Sequence, residues 1–407
     1  MTTTISRPLK VGAWFAISLA LVTVLGPAGT DMYLSSLPDV VEHLNATAAS
    51  GQLTLTVYLL AMGAGQLVFG PITDAFGRRR PLLAALVVFL LSSVWAAMSP
   101  SMGILLIART LQGLAAALTL VVALSMVRDA AQGVRAAQLF ALLMTIEGLA
   151  PVLAPTVGGF VDQHFGWRAV LLVLAGLAAI AFANSTVSLR ETLPAESRTS
   201  LRLGQVMRTY GRIARDGQFL LPALGLSAVF FFLFAYIGGA PFIYQGEFGL
   251  SSDTFGLVFG GTGLAVMFGA IIAGRTVGKF GAGKLGVFGT ILIALGALIG
   301  LILSGIGLGL AGIVIGMFVA LLGVGIAEAT LMALAMASQN TALGSTAALL
   351  GAFQLIISSA ATPLAGLAVG ISTGAWLGFL LGISLVAFII VGVSIKRAPA
   401  ITDLGSH

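Results

Sequence analysis

The 407-residue sequence contains no cysteine, only three histidines, and few charged side chains, which make up 8% of the chain. Without cysteine there is no disulfide framework, thiolate metal site or cysteine nucleophile. The chain also lacks a His-x-x-Glu-His pattern and a phosphate-binding loop. An intramembrane enzyme would need such a constellation, so we expect no enzymatic activity, no metal and no cofactor.

Hydrophobic residues make up 58% of the chain, and its mean hydropathy is +1.08. So few charges cannot cover a soluble globule, and the composition predicts an integral membrane protein. The 53 glycines are scattered through the apolar runs, as expected where helices pack closely in lipid. We predict no cleavable signal, because Arg7 and Lys10 precede an apolar run longer than a signal-peptide core.

The apolar runs divide into twelve segments of roughly 20 to 27 residues, and each can cross a hydrocarbon core of about 30 Å. The sequence therefore predicts an all-α protein with twelve transmembrane spans. In chain order, the predicted spans are 11–36, 51–72, 81–98, 103–127, 136–160, 168–187, 219–241, 255–274, 284–304, 309–336, 345–369 and 374–395.

The distribution of the 20 lysines and arginines predicts the orientation. Eighteen of them fall in alternate connections, the set that contains both termini, although the formal net charge is only +6. By the positive-inside rule this set is cytoplasmic, so we expect a multi-pass protein of a bacterial inner membrane with both termini in the cytoplasm. The positive charge is explained by topology, and no nucleic-acid partner is expected.

The longest polar stretch divides the chain into two sets of six spans. We predict an N-terminal six-helix bundle over 1–187, a cytoplasmic linker over 188–218 and a C-terminal six-helix bundle over 219–407. Arginines such as Arg202 and Arg208 alternate with apolar residues in the linker. This part is either an amphipathic helix at the anionic inner leaflet or a flexible connection.

Two related turns indicate that the halves are equivalent. The segment Gly274 to Gly281 follows span 8 as Gly70 to Arg80 follows span 2, about 204 positions earlier, although the second copy lacks the aspartate. Such degenerate repeats are expected of transporters whose substrate site lies near the bilayer midplane between the halves.

Four ionisable side chains lie inside predicted spans: Asp31, Arg109, Glu147 and Glu328. A charge in the bilayer costs several kcal/mol unless it is paired or hydrated, so each is a candidate functional residue. Asp31 and Arg109 lie roughly 7 to 10 Å inside the outer boundary and could pair across neighbouring spans. Alternatively, Asp31 is hydrated at the outer interface, and Arg109 anchors span 4 by donating to backbone carbonyls.

The two glutamates lie deeper in the membrane. Glu147 is near the midplane of span 5 and is followed by Pro151 and Pro155. It either carries a proton during transport or is a protonated acid that bonds two helices. Glu328 lies nearer the cytoplasmic end of span 10, where we expect it to be hydrated in an inner vestibule.

The turn from Gly70 to Pro81 resembles the hallmark cytoplasmic loop of the major facilitator superfamily. Gly70, Asp74, Gly77, Arg78 and Arg79 are in register with it, whereas Ala75 stands where a basic residue is common. Further stretches resemble the Bcr/CflA group of drug/proton antiporters in this superfamily: 30–38, 109–116 with its Arg-x-x-Gln-Gly pattern, 150–159, and 240–245.

The resemblance implies two pseudo-symmetric six-helix bundles and two functional motifs. A cytoplasmic gate would contain Gly70, Asp74, Gly77, Arg78 and Asp129. When the inside is closed, Asp74 would face the start of span 11 near Gly344, and Arg78 would pair with Asp129. An antiporter motif would contain Pro151, Pro155, Gly158 and Gly159. Gly148, Ala154 and these two glycines would let span 5 touch the glycine-rich span 8, which carries Gly256, Gly260, Gly263 and Gly269.

We therefore predict a monomeric exporter of amphipathic drugs, such as phenicols or bicyclomycin, driven by inward proton flow through alternating access. Its partners are the drug, protons and the lipid bilayer. Asp31 is the principal protonation site, Arg109 tunes it, and Glu147 is a second candidate. The candidate pocket residues are Asp31, Tyr33, Gln112, Glu147, Phe230, Phe234, Tyr236, Phe242 and Tyr244. The alternative is export of a sugar or amino-acid-like metabolite through polar groups such as Gln112, Gln354 and Asn340.

Overall fold

The computed structural model describes residues 13–131, 133–198, 200–201, 203–339 and 342–397. Arg7, Lys10, Arg202 and Asn340 lie outside the described residues. Helix 1 is segmented into Ala13–Thr23, Leu25–Asp31, a 3₁₀ turn Leu34–Ser36, and Leu37–His43. The other helices of the first half are helix 2 (Ala48–Phe76), helix 3 (Arg79–Ala97), helix 4 (Met102–Ala130), helix 5 (Gly133–Phe165) and helix 6 (Trp167–Ser188).

The second half continues the same all-helical plan. Its helices are helix 7 (Gly217–Pro241, extended by a π turn Phe242–Glu247), helix 8 (Ser252–Phe280), helix 9 (Ala282–Leu303), helix 10 (Gly309–Ala337), helix 11 (Leu343–Ser359 and Ala361–Val369) and helix 12 (Thr373–Arg397). Many helices exceed their predicted spans, because they continue past the apolar stretch into the connections at both ends.

Helices 9 and 10 form one continuous helical stretch of 56 residues, Ala282–Ala337. If straight, it would be about 84 Å long, far more than the roughly 30 Å of a hydrocarbon core. It turns back at Gly307 and Gly309, whose φ values are 100° and 52°. A Cβ on Gly296 would lie 2.3 Å from Ala320 N, so the two helices pack in antiparallel contact. The twelve predicted spans are therefore present.

Helix 1 breaks at Thr23 because proline follows four residues later. Pro27 has no N–H to donate to the Thr23 carbonyl, so the regular pattern of hydrogen bonds is interrupted there. The Leu25–Asp31 piece is almost wholly buried, as are Tyr33 and Leu34 beyond it. The break therefore places Asp31 and Tyr33 inside the bundle of helices.

Two sides of the membrane protein can be distinguished by their connections. The side that carries residues 189–216 between helices 6 and 7 is called the linker side. It contains a further helix, Leu203–Arg215, whose Tyr210 and Ile213 are buried. The Tyr210 hydroxyl donates to Leu67 O (3.1 Å), in the last third of helix 2. The linker helix thus packs against the bundle.

Equivalent turns end helices 2 and 8 on the linker side. Gly77 and Gly281 both adopt positive φ, at 89° and 77°, a region that favours glycine. They are separated by the 204 positions that relate the repeated segments. The repeat seen in the sequence therefore corresponds to a repeated backbone conformation.

Candidate functional site

Arg109 is a completely buried cation enclosed by two aromatic rings. Its guanidinium carbon lies 4.6 Å from the ring centroid of Tyr33 and 4.3 Å from that of Tyr58. Its Nη1 donates to Gln112 Oε1, and Gln112 Nε2 donates to Ser93 Oγ (2.7 Å). Nε and Nη2 of Arg109 have no hydrogen-bond partner. The site therefore holds a positive charge with two unused donors.

Tyr58, which the sequence analysis did not select, connects this cation to helix 1. Its hydroxyl donates to Gly26 O (2.9 Å), three residues past the break at Thr23. It is brought close to Arg109 by Gly113, where an added Cβ would lie 2.3 Å from Tyr58 O. The sequence analysis selected charged residues inside apolar spans, and a tyrosine is uncharged, so only the contact of helices 2 and 4 identifies Tyr58.

Asp31 is buried, with 7% of its surface exposed, and its Oδ1 lies 3.1 Å from the Thr30 hydroxyl. No ion pair joins Asp31 to Arg109 among the residues that the structure describes, so the direct pair considered from the sequence is absent. The physical reason is that aromatic rings flank the guanidinium, and a cation–π contact stabilises a desolvated cation by about 2 kcal/mol. The burial of Asp31 also disagrees with the alternative in which it is hydrated at the outer interface.

Glu147 on helix 5 and Glu328 on helix 10 belong to two helices that both pack against helix 8. Both are half-buried. Helix 8 lies between them: Gly263 faces Pro151 on helix 5, and Val266 faces Gly325 on helix 10. Each glutamate is about one turn closer to the linker side than these contacts. The two acids therefore face one region between helices 5, 8 and 10.

The predicted aromatic pocket residues differ in their surroundings. Tyr236 stacks on Phe259 (5.3 Å between centroids) and on Trp376 (6.2 Å), and its hydroxyl bonds Thr262 and Tyr244. These tyrosines are fully packed in this conformation. Phe234 is also buried, whereas Phe230 and Phe242 are half-buried. The structure therefore divides these candidates into buried residues, the two tyrosines and Phe234, and the half-buried Phe230 and Phe242.

Arg78 is the centre of an ionic cluster on the linker side. Its guanidinium contacts Asp74 (2.6 Å) and Asp129 (2.9 Å). Burial disfavours its charge, but the hydrogen bonds and charges of Asp129 and Asp74 outweigh burial and hold the pKa of Arg78 above its ordinary value. The Arg78–Asp129 pair that was expected from the resemblance is present.

The expected contact of Asp74 with helix 11 is replaced by another. A Cβ on Gly344 would lie 2.6 Å from Nη1 of Arg128, so it is Arg128 that reaches the start of helix 11. Asp74 instead pairs with Arg78 on the next turn. An arginine is long enough to span the gap between helices 4 and 11, whereas an aspartate side chain is short. Gly70 has open space around it.

On the side opposite the linker, helix 5 touches helices 1 and 8 at backbone distance. An added Cβ would lie 2.1 Å from Met32 O at Gly158 and 2.2 Å from Ser252 O at Gly159. On helix 8, a Cβ at Gly256 would lie 2.3 Å from Pro155 O. The two halves are therefore closed together on this side. Two expected contacts are absent: Gly148 faces open space, and Gly269 faces helix 10.

No group of three or more potential metal ligands occurs among the described residues. The profile of the Major Facilitator Superfamily matches residues 19–363, which is most of the chain. The chain belongs to the major facilitator superfamily. It is a multi-pass membrane protein of a transporter family rather than an enzyme family.

Three relatives within the major facilitator superfamily are informative. The chain is 35% identical over 354 residues to the uncharacterized MFS-type transporter YdgK of Bacillus subtilis, covering 86% of this chain and 88% of that one. It is 29% identical to a bicyclomycin resistance protein homolog of Haemophilus influenzae, covering 66% and 67%. It is 31% identical to a chloramphenicol resistance protein of Pseudomonas aeruginosa, covering 68% and 65%. These matches place it in the Bcr/CflA-like group.

A solved structure agrees with the superfamily fold. The D-xylose–proton symporter superposes with a TM-score of 0.74, covering 93% of this chain and 96% of the symporter, at 16% sequence identity. Identity this low supports the fold alone. Within this fold the caged Arg109, the buried Asp31 and the two facing glutamates are the candidate functional groups of the chain.

Proposed function

We propose that the protein exports amphipathic drugs from the bacterial cytoplasm in exchange for protons, by alternating access. The observation that carries the proposal is Asp31: a carboxyl group buried on a membrane helix, with no cation paired to it among the described residues. It lies on the piece of helix 1 that Tyr58 connects to the caged cation Arg109. An ionised carboxyl is costly in that place unless something compensates it. Uptake of a proton and rearrangement of the neighbouring helices are thereby linked.

The neighbouring contacts give this linkage a route. Tyr58 touches Arg109 through its ring and helix 1 through its hydroxyl. A shift of helix 1 on protonation of Asp31 would move the Tyr58 ring and alter the cage of Arg109. In this proposal Asp31 loads from the periplasm when the side opposite the linker is open, and drug binding from the cytoplasm favours its release. Export of the drug and import of the proton are then coupled, because each binds better to a different conformation.

The class of cargo is proposed from relatives and from the cavity chemistry. Two relatives are named for resistance to bicyclomycin and chloramphenicol. The half-buried Phe230 and Phe242 offer apolar surface, and Glu147 and Glu328 offer acceptors. Glu147 is the proposed second proton site. The linker side is proposed to be cytoplasmic, and we propose a monomer with the proton as its only coupling ion.

Susceptibility tests in a pump-deficient bacterial host examine this function. Expression of the wild type is expected to raise the inhibitory concentration of at least one amphipathic antibiotic, such as chloramphenicol. An Asp31→Asn variant inserted at the same level is expected to lose that protection, whereas Glu196→Gln, at an exposed position of the linker, retains it. Unchanged susceptibility to every drug in the panel, with the wild type present in the membrane, would contradict drug export and favour a metabolite.

A further inference from the structure

The segment that follows helix 6 binds the turn between helices 2 and 3. Glu191 accepts hydrogen bonds through Oε1 from the backbone N–H of Arg78 (2.8 Å) and through Oε2 from that of Arg79 (3.2 Å). Its Oε1 also accepts from the N–H groups of Thr192 and Leu193, both at 3.1 Å. One carboxylate from the linker therefore satisfies two backbone donors of a distant turn.

Helix 3 has no cap of its own at this end. Its N-cap residue is Arg78, whose side chain makes no capping hydrogen bond. The first N–H groups of a helix lack partners within the helix, and a negative charge next to them is favourable. Asp, Asn, Ser and Thr normally supply this acceptor from the N-cap position itself. Glu191 supplies it from 113 residues further along the chain.

A reciprocal contact ties the same two segments together. The Arg79 guanidinium donates to Leu189 O and Thr186 O, both at 2.8 Å, at the C-terminal end of helix 6. The last carbonyls of a helix lack intrahelical partners and attract a cation. In addition, the Thr192 hydroxyl donates to Asp129 Oδ2 (3.2 Å), which also holds Arg78. Helix 3 and helix 6 thus complete each other's ends.

Gly77 leaves the space that this arrangement needs. A Cβ at Gly77 would lie 2.6 Å from Glu191 Oε2, inside any ordinary contact distance. The absence of a side chain at Gly77 therefore permits both the positive φ of the turn and the close approach of the Glu191 carboxylate. The ion pair with Arg198 is long, at 3.9 Å, so the backbone donors are the main partners of Glu191.

The chemistry of the carboxyl agrees with this geometry. Partial burial opposes its ionisation, but hydrogen bonds from the backbone N–H groups of Arg78, Leu193 and Arg79, with the charge of Arg198, outweigh burial and lower the pKa of Glu191. The carboxylate is therefore charged at neutral pH. It can act as a permanent acceptor for the end of helix 3.

We propose that Glu191 is a positioning residue of the gate on the linker side: it caps helix 3 from the linker and thereby holds Arg78 in place against Asp129. The first residues of the linker are then part of the gate, in contrast to a passive tether between the halves. The consequence for transport rests on the proposed function, whereas the capping itself does not.

Hydrogen exchange measured by mass spectrometry on the full-length protein in nanodiscs, without drug, tests the capping. The probes are peptic peptides that begin before residue 76 and cover residues 77–82, so that the two amides bonded to Glu191 lie beyond the first two positions of each peptide, where the label is lost. In Glu191→Ala these amides are expected to exchange about 2- to 30-fold faster, the range for loss of a helix cap. Glu191→Gln keeps an acceptor oxygen without the charge, so its exchange rate is expected to lie between those of the wild type and Glu191→Ala.

Matched controls are present in the same chain. Glu196, five residues later, is exposed and has no hydrogen-bond or ion-pair contact among the described residues, so Glu196→Ala should leave exchange at residues 77–82 unchanged. The equivalent turn around Gly281, in the second half, should exchange equally in all variants. If Glu191→Ala folds poorly, the exchange rate of Glu191→Gln at the same two amides tests the capping. Wild-type exchange at residues 77–82 in the folded variant would overturn the proposal.

A transport assay separates positioning from general stability. In proteoliposomes that show drug flux with the wild type, Glu191→Ala should lower the maximal rate and leave the KM for chloramphenicol unchanged, because Glu191 lies on the linker side and away from Asp31. Glu191→Gln should recover part of the rate. Faster exchange with an unchanged maximal rate would refute the role in the gate. If the wild type itself carries no drug, the proposed function fails while the exchange result still decides the capping.

Discussion

Replacing Gly256 by alanine should open the side opposite the linker. Helices 5 and 8 meet at Gly256, where a Cβ would lie 2.3 Å from Pro155 O, whereas ordinary contact begins near 3.4 Å. The two backbones must therefore separate by about 1 Å in a region packed as tightly as an organic crystal. Overpacking of this kind costs about 1 to 3 kcal/mol.

This cost applies only to the conformation in which helices 5 and 8 touch. Alternating access requires another conformation in which they separate on this side, and there the added methyl group meets nothing. The equilibrium should therefore move toward the open conformation by about 5- to 150-fold, the population change for 1 to 3 kcal/mol. Gly261→Ala is the matched control, because it lies on the same helix and an added Cβ has no atom within 4 Å.

The absence of cysteine makes the measurement direct. Spin labels on Met98→Cys and Ile371→Cys, which are 73% and 78% exposed, report the distance between the two halves on this side. In Gly256→Ala a longer distance should become the major population, and Gly261→Ala should match the parent. A distance distribution that is unchanged in folded Gly256→Ala would refute the argument that these backbones must part during transport.

Three further changes test other parts of the structure. Arg109→Lys keeps the charge but loses the flat guanidinium between its two tyrosines, so the free energy of unfolding should fall by about 1 to 2 kcal/mol, with a lower melting temperature. The control Arg80→Lys, at an exposed position, should leave the melting temperature unchanged. Arg78→Ala removes two charged hydrogen bonds, worth about 1.5 to 3 kcal/mol each, so the linker side should open more often and a cysteine at buried Thr346, at the start of helix 11, should react faster with a thiol reagent. An unchanged labelling rate would contradict the gate assignment. The pKa of Glu191 lies below the ordinary 4.5, so its contribution to stability is complete above pH 4.5 and is lost as the pH falls through the lowered pKa. The difference in melting temperature between wild type and Glu191→Gln should therefore shrink only below pH 4.5.

The sequence was sufficient to predict the twelve spans, because continuous apolar runs and alternating basic connections are strong signals. The tight contact of helix 5 with helix 8 was expected from the resemblance, and the small residues of both helices permit it. The repeated turn was visible because glycine at positive φ leaves a trace in the sequence, as Gly77 and Gly281 show.

The details of the site were less accessible. Span positions placed Asp31 and Arg109 at one depth, but depth alone could not show that Tyr58 and Tyr33 would occupy the faces of the guanidinium. The capping by Glu191 also escaped prediction, since it joins segments 113 residues apart through backbone donors that carry no side-chain signature. Contacts of this kind depend on how helices cross, and a single sequence does not encode that geometry in a visible pattern.

Proton-coupled drug flux in proteoliposomes tests the central role of Asp31 most directly. With an imposed pH gradient, the wild type should move chloramphenicol against its own gradient while protons flow the other way. Asp31→Asn should move the drug only down its own concentration gradient, at a rate that does not depend on the pH gradient. Accumulation by Asp31→Asn equal to that of the wild type would contradict the account.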